Sequence, residues 1–195
     1  MDKQRVIEFF DKLAPNWDVN MVRSDDKIGM ILDYAGIKQD VSVLDVACGT
    51  GVLIPDYLAR GIDKVVGVDI SSAMIEIARA KFQDPRVSFL NGDVEELNFD
   101  FEFDCCVVYN AFPHFPDPER LISALSGKLK SGGRLTIAHG MSRYDINGHH
   151  SQTASEVSLG LMTEVELSEM MSPYLAVDTA ISNDNMYVVS GVKKI

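Results

Sequence analysis

The stretch Val43-Leu44-Asp45-Val46-Ala47-Cys48-Gly49-Thr50-Gly51 decides the fold of this chain. Residues of strand character run into two glycines that are one residue apart, and an apolar helical pattern begins at Val52. Glycines at a strand-to-helix turn let the backbone approach a ligand without a Cβ in the way. The turn also leaves the unpaired amides of a helix N-terminus facing that ligand. The stretch therefore predicts a strand, a ligand-binding turn and a helix.

A third glycine, three residues after the second, would complete the fingerprint of a dinucleotide-binding domain, but Ile54 stands there. This departure argues against a nicotinamide-dependent oxidoreductase. Asp45, Ala47, Gly49 and Gly51 instead occupy the fixed places of an Asp-x-Ala-x-Gly-x-Gly motif. In this motif the chain resembles the class I S-adenosylmethionine-dependent methyltransferases.

The composition is that of a globular domain with an acidic balance. The 195 residues suit one domain, and 46% of them are hydrophobic and 24% charged. A net charge of −11, without a cluster of Lys and Arg, argues against nucleic acid as a partner. No apolar run approaches the ~20 residues of a membrane span. The opening residues do not read as a secretory leader, and three cysteines make no disulfide framework, so we expect a cytoplasmic protein.

Strand and helix patterns alternate from residue 41 onward. Strands are expected at 41–46, 64–69, 87–90, 103–109 and 134–139, with an antiparallel closing pair at 175–181 and 186–192. Helices are expected at 3–13, 24–36, from 51 to about 61, and at 72–82, 118–130 and 163–172, with a turn at 131–133. This predicts one α/β domain over 1–195. The resemblance implies a Rossmann-like methyltransferase fold, with helices on both faces of a seven-stranded, mostly parallel sheet in the order 3-2-1-4-5-7-6.

Glycine, acidic or polar residues follow each of the first five strands, whose carboxyl ends meet on one rim where ligands bind. Asp69 ends the second strand and is placed to accept hydrogen bonds from both hydroxyls of a ribose. By resemblance Asp93 recognises adenine, whereas a loop turn residue is the other interpretation. The resemblance implies S-adenosylmethionine as the cofactor, held by Asp45, Ala47, Cys48, Gly49, Gly51, Asp69, Ile70, Met74, Gly92, Asp93, Val94, Asn110 and Ala111.

Residues 1–36 are expected to form a helical lid over a core of residues 41–192. The segment from Phe9 to Asp18 is similar to the N-terminal element of ubiquinone/menaquinone-biosynthesis methyltransferases, in which it folds over the bound cofactor. Trp17, the only tryptophan, then lines the substrate site. In the other interpretation it anchors a terminal helix to the core, and the two roles are compatible.

All four histidines follow the fourth or fifth strand, on the side where the substrate is expected. Three roles remain open for them, namely general base, orientation of the substrate, and metal binding. His114 is the best-placed base and His139 the second catalytic candidate. No two have the i, i+4 spacing of a helical metal pair, so no metal site is predicted. The residues expected to contact the substrate are Trp17, Phe112, His114, Tyr144, His149 and His150.

The function that the resemblance implies is methyl transfer from S-adenosylmethionine to a small molecule. In-line displacement of an activated methyl group requires mainly that the protein positions the two reactants in a pocket that excludes water. The chain has Asn110-Ala111-Phe112-Pro113 where many nucleic-acid and protein methyltransferases carry an Asn/Asp-Pro-Pro-Tyr/Phe tetrapeptide. A cofactor-binding module or partner subunit without turnover is the alternative. We expect a monomer or a homodimer that engages neither nucleic acid nor membrane.

Overall fold

The seven strands of the computed structural model form one sheet in the order 3-2-1-4-5-7-6, which confirms the predicted fold. The structure describes residues 1–194, apart from the side chain of Asn20. The strands β1 to β7 are Ser42–Val46, Lys64–Asp69, Val87–Asn91, Phe103–Tyr109, Leu129–His139, Leu175–Ser182 and Tyr187–Lys193. Strands β1 to β5 are parallel, and β7 runs antiparallel between β5 and β6.

Eight α-helices surround this sheet. They are α1 Lys3–Leu13, α2 Trp17–Asn20, α3 Asp25–Tyr34, α4 Ile54–Ala59, α5 Ser72–Lys81, α6 Pro118–Lys128, α7 Arg143–Thr153 and α8 Glu164–Met171. Local chemistry explains their starts. Ser71 caps α5 by accepting a hydrogen bond from the Met74 amide, and Thr163 forms a capping box with Glu166 at the start of α8. The segment 141–158 contains α7.

The central strands are buried because apolar helices cover both faces of the sheet. Alternate residues of β1 show this: Leu44 packs in a layer with α6 and α8, and Val43 packs in the opposite layer with α3, α4 and α5. The three cysteines are free and buried, as is common for small apolar core residues. None of the helices within residues 1–194 has the length and apolar character needed to cross a bilayer.

The start of β5 differs from the prediction. Leu129 already pairs with Phe103, and the ladder resumes at Arg134, so the strand begins before the predicted turn. The residues between form a bulge in which Gly132 has a φ of +76°. A Cβ on Gly133 would lie 3.0 Å from the carbonyl oxygens of Lys130 and Phe103, so the bulge requires glycine there.

Candidate functional site

One cavity of about 430 Å³ opens at the carboxyl ends of the parallel strands, between the N-terminal helices and α7. This volume is in the range of small-molecule sites. Most of the predicted site residues line it. They are Trp17, Ala47, Cys48, Gly49, Asp69, Ile70, Met74, Gly92, Asp93, Val94, Asn110, Ala111, His114, His139, His149 and His150.

Four predicted residues do not line this cavity. Tyr144 is 87% exposed because it lies on the solvent side of α7, opposite the buried Ile146. Phe112 is buried in the core layer of α6 and α8. The structure therefore places neither side chain at the cavity where the substrate is expected. Gly51 (φ +86°) and Asp45 lie behind the lining and support the turn from inside.

The turn after β1 depends on unusual backbone conformations. Ala47 and Gly49 both have left-handed backbone conformations, with φ of +54° and +55°. The Cys48 amide donates to the Val68 carbonyl at 3.0 Å, which ties the turn to the end of β2. A Cβ on Gly51 would lie 2.7 Å from the Phe82 ring, so this position requires glycine for its backbone and for its packing.

Asp69 is held with both carboxylate oxygens fixed. The Gly49 amide donates to Oδ2 at 2.8 Å, and the Ser71 amide donates to Oδ1 at 2.9 Å. Burial raises the pKa of Asp69 to about 6, although these amide hydrogen bonds lower it. Each oxygen retains a lone pair, so the carboxylate is preorganised to accept further hydrogen bonds in the cavity that it lines.

Asp45 is a buried carboxylate beneath the glycine turn. The Tyr57 hydroxyl donates to its Oδ1 at a long 3.4 Å, and its Oδ2 has no partner among the described residues. Burial raises the pKa of Asp45 to about 8, the Tyr57 hydrogen bond lowers it, and the nearby Asp69 carboxylate raises it. An unpartnered buried oxygen of this kind costs stability in the free protein.

Asp93 is bound by a residue that the sequence analysis missed. Lys3 on α1 pairs with Asp93 and, at 2.8 Å, with Glu95, whose side chain is only 1% exposed. Arg120 reaches the same Glu95 oxygen at 3.1 Å. Lys3 lines the cavity next to Asp93, so α1 closes over the end of the cavity that Asp93 marks.

Two further polar contacts tie the N-terminal helices to the same rim. Asp11 accepts a 2.5 Å hydrogen bond from the Ser71 hydroxyl, directly beside Asp69. Asp18 accepts a 2.5 Å hydrogen bond from Thr50 and pairs with Lys81 at 2.7 Å. The N-terminal helices therefore contact the loops after β1, β2 and β3, each of which contributes to the cavity.

The histidines lie together at the other end of the cavity. The rings of His114 and His150 are 4.9 Å apart between centroids, and those of His149 and His150 are 6.1 Å apart. His139 is buried, and its Nε2 has no partner in the described part of the chain. Burial lowers the pKa of His139 to about 3 and that of His150 to about 4, with a contribution from the neighbouring histidines.

Several lining residues gave no sequence signal. Lys3, Arg23 and Ile146 join the cavity only because segments distant in sequence fold over the sheet. Their types and spacing are those of ordinary amphipathic segments. Within residues 1–194, no three His, Cys, Asp or Glu side chains are grouped so as to hold a metal ion.

The fold and the site define a Rossmann-like α/β protein with a glycine turn and a fixed acidic residue at adjacent strand ends. Residues 43–133 match the family model described as a methyltransferase domain. The malonyl-[acyl-carrier protein] O-methyltransferase of Priestia megaterium is 35% identical over 51% of this chain and 37% of its own length. The ubiquinone biosynthesis O-methyltransferase of Coxiella burnetii is 36% identical over 69% of this chain and 61% of its own length.

A solved structure shows the same fold. The N-methyltransferase NodS of Bradyrhizobium japonicum, in complex with S-adenosyl-L-homocysteine, has a TM-score of 0.74 at 12% identity and covers 96% of this chain and 97% of its own. Residues 43–133 therefore form a methyltransferase domain, and the chain shares the fold of S-adenosylmethionine-dependent methyltransferases. It spans less than two thirds of the length of the two curated relatives described above.

Proposed function

We propose that this protein binds S-adenosylmethionine and transfers its methyl group to a small-molecule acceptor. The observation that carries the proposal is the Asp69 carboxylate, held by the Gly49 and Ser71 amides at the mouth of the glycine turn. Two fixed acceptor oxygens at the end of β2 suit the two hydroxyls of a ribose. The matched family and the S-adenosyl-L-homocysteine bound to NodS support the same cofactor.

The residues present fit this cofactor. Gly49 offers a backbone without a Cβ, and the nearest side-chain atom to that missing Cβ is Trp17 Nε1 at 3.8 Å, so the turn has an open face. Asp93 lies at the next strand end, where an adenine amine would meet its carboxylate. The orphaned Oδ2 of Asp45 marks a polar position beneath the turn. When bound, the cofactor supplies a sulfonium-activated methyl group.

The protein's own contribution is positioning and exclusion of water. Trp17, Phe10 and Met21 line the cavity from the N-terminal segment, and Met141 and Ile146 line it from the opposite side. These apolar walls suit in-line displacement, which requires that the two reacting atoms are aligned and shielded from water. We assign residues 1–36 the role of a lid over the core of residues 41–192.

Calorimetric titration with S-adenosylmethionine, S-adenosylhomocysteine and NAD tests the proposal. We expect micromolar binding of the two sulfur ligands and no binding of NAD. Asp69→Ala should weaken the binding of both sulfur ligands by more than about tenfold, because it removes two charge-assisted hydrogen bonds to the ligand. Asp63→Ala, outside the cavity, is the matched control. Binding without any turnover of acceptors would favour a cofactor-binding module or partner subunit.

A further inference from the structure

We propose that the acceptor is an uncharged molecule presenting a hydroxyl group, and that Nε2 of His114 takes the hydroxyl proton as the oxygen is methylated. This inference rests on the proposed methyl transfer and adds the chemical class of the acceptor. It follows from the tautomer of His114 and from the charges that line the cavity.

The hydrogen bond of His114 determines its tautomer. Nδ1 lies 2.7 Å from the carbonyl oxygen of Val157, and a carbonyl oxygen only accepts hydrogen bonds. Nδ1 therefore carries the hydrogen, and Nε2 of the neutral ring is a bare lone pair. Burial lowers the pKa of His114, against the effect of the Val157 hydrogen bond, so the ring is neutral near physiological pH. A neutral ring with a free Nε2 accepts a proton.

The packing around His114 fixes the direction of the ring. Phe10 of α1 meets it edge-on at 5.0 Å between centroids, and His150 lies 4.9 Å away on the α7 side. A ring held by a hydrogen bond and two aromatic neighbours keeps its Nε2 in one place. Preorganisation of this kind is what a general base requires.

Among residues 1–194, no unpaired charge that could bind a carboxylate, phosphate or ammonium group lines the histidine end of the cavity. Its two cationic lining residues are Lys3, paired with Asp93 and Glu95, and Arg23. Arg23 pairs with Asp25 and Asp56 and donates to the Val52 carbonyl. The two lining carboxylates, Asp69 and Asp93, belong to the proposed cofactor end. A carboxylate or phosphate acceptor therefore finds no unpaired cation, and an ammonium group finds no carboxylate beside the histidines.

The histidine end of the cavity borders solvent, because His149 is exposed whereas His114 and His150 are partly buried. The His150 ring lies between the other two, 4.9 Å from His114 and 6.1 Å from His149 between centroids. The other titratable and charged groups that line the cavity are Cys48, His139, Tyr109, Lys3, Arg23, Asp69 and Asp93. None of the carboxylates is at the histidine end, so a proton on His114 is not trapped there by an ion pair.

The reaction balances with these groups alone. An oxygen lone pair of the hydroxyl forms the new C–O bond while the C–S bond of the sulfonium breaks, and the sulfur keeps that electron pair. The O–H bond breaks and its proton moves to Nε2 of His114. The products are a methyl ether, a neutral thioether and an imidazolium, which returns its proton to solvent.

The first test is independent of turnover. Nitrogen NMR of the histidine-labelled protein bound to S-adenosylhomocysteine should show His114 with a hydrogen on Nδ1 and none on Nε2. His114→Asn assigns the resonances and keeps an amide N–H in the place of Nδ1. A hydrogen on Nε2 of His114 in the neutral ring would overturn the proposal.

The second test compares acceptors of matched size. The probes are catechol, 4-nitrocatechol, benzylamine and benzoate, with release of S-adenosylhomocysteine as the readout. We expect turnover of the two hydroxyl probes only. His114→Asn should slow the methylation of catechol by roughly 100-fold or more. It should slow that of 4-nitrocatechol, assayed at a pH at which this probe is still uncharged, by less than about tenfold, because a more acidic hydroxyl needs less help from a base. Tyr34→Phe, outside the cavity, is the control.

The outcomes separate the two proposals. If calorimetry finds no S-adenosylmethionine binding, the proposed function fails. If the cofactor binds but the amine or the carboxylate is methylated in place of the hydroxyl probes, or no hydroxyl probe turns over, the acceptor class is wrong. If His114→Asn slows the methylation of both catechols equally, His114 is a packing residue and not the base. Undiminished cofactor affinity in that variant excludes damage to the fold.

Discussion

At the scale of single residues, the buried carboxylate of Asp45 beneath the glycine turn lowers the stability of the free protein. It is buried, and one oxygen has no partner within the described residues. Its raised pKa, about 8 against 3.8 in the unfolded chain, means that the fold binds this proton more tightly than the unfolded chain does. The contribution of Asp45 to stability therefore declines as the pH rises from about 4 to about 8.

Asp45→Asn removes the charge and keeps the shape. Above pH 8, we expect the free energy of unfolding of the ligand-free variant to exceed that of the wild type by about 1 kcal/mol or more. The variant should therefore unfold at a higher temperature. The advantage should shrink as the pH falls toward 4. Asp33→Asn, an exposed partner of Arg60, is the control and should change little. An equal advantage at every pH would contradict the assignment.

At the scale of elements, helix α1 is held to the rim by its first residue. Lys3 neutralises Asp93 and the buried Glu95, whereas Arg5 on the same helix makes only an exposed pair with Glu156 at 4.0 Å. A buried carboxylate that loses a partner is costly, but an exposed pair contributes little. Lys3 and Arg5 therefore offer a matched comparison between a cation that pairs with a buried carboxylate and one that makes only an exposed pair.

Lys3→Gln should accelerate amide hydrogen exchange across residues 3–13, and Arg5→Gln should not. Mass spectrometry with and without S-adenosylhomocysteine measures both. If residues 1–36 act as a lid, the ligand should slow exchange in the wild type and less so in Lys3→Gln. Identical exchange in the two variants would show that α1 is held by its apolar face alone.

At the scale of the whole molecule, the histidine end links folding to pH. The pKa of His139 falls from 6.5 to about 3 because the ring is buried, so the unfolded chain binds this proton more readily than the fold. The stability that His139 contributes is complete above pH 6.5 and is lost as the pH falls toward 3. Asp45 and Asp69 act with the opposite sign, so the net profile is flatter than either alone.

His139→Gln should isolate this contribution. Its free energy of unfolding should fall less steeply than that of the wild type between pH 6.5 and 4, whatever its value at neutral pH. Urea titrations across that interval measure the two slopes. Parallel slopes would mean that His139 is solvated, or charged, in the folded protein.

The sequence by itself determined the strands, the glycine turn and the acidic end of β2, and the resemblance to a known family supplied the order of the sheet. These features depend on patterns within a few residues: buried runs for the central strands, glycines where φ is positive, and a carboxylate directly after a strand. Because parallel strands place their carboxyl ends on one rim, Asp69 and Asp93 could be assigned to one site from their positions alone.

Only the tertiary structure decided which side chains close that site. Lys3 pairs with Asp93 across 90 positions in sequence, and no local pattern encodes such a pair. The direction of a side chain on a helix also depends on what the helix packs against, so Tyr144 faces solvent while Ile146 is buried. The tautomer of His114 depends on the carbonyl of Val157, a backbone atom 43 residues away. Local sequence fixes propensity and period, whereas long-range packing fixes orientation, hydrogen-bond partners and burial, and these set the chemistry of the site.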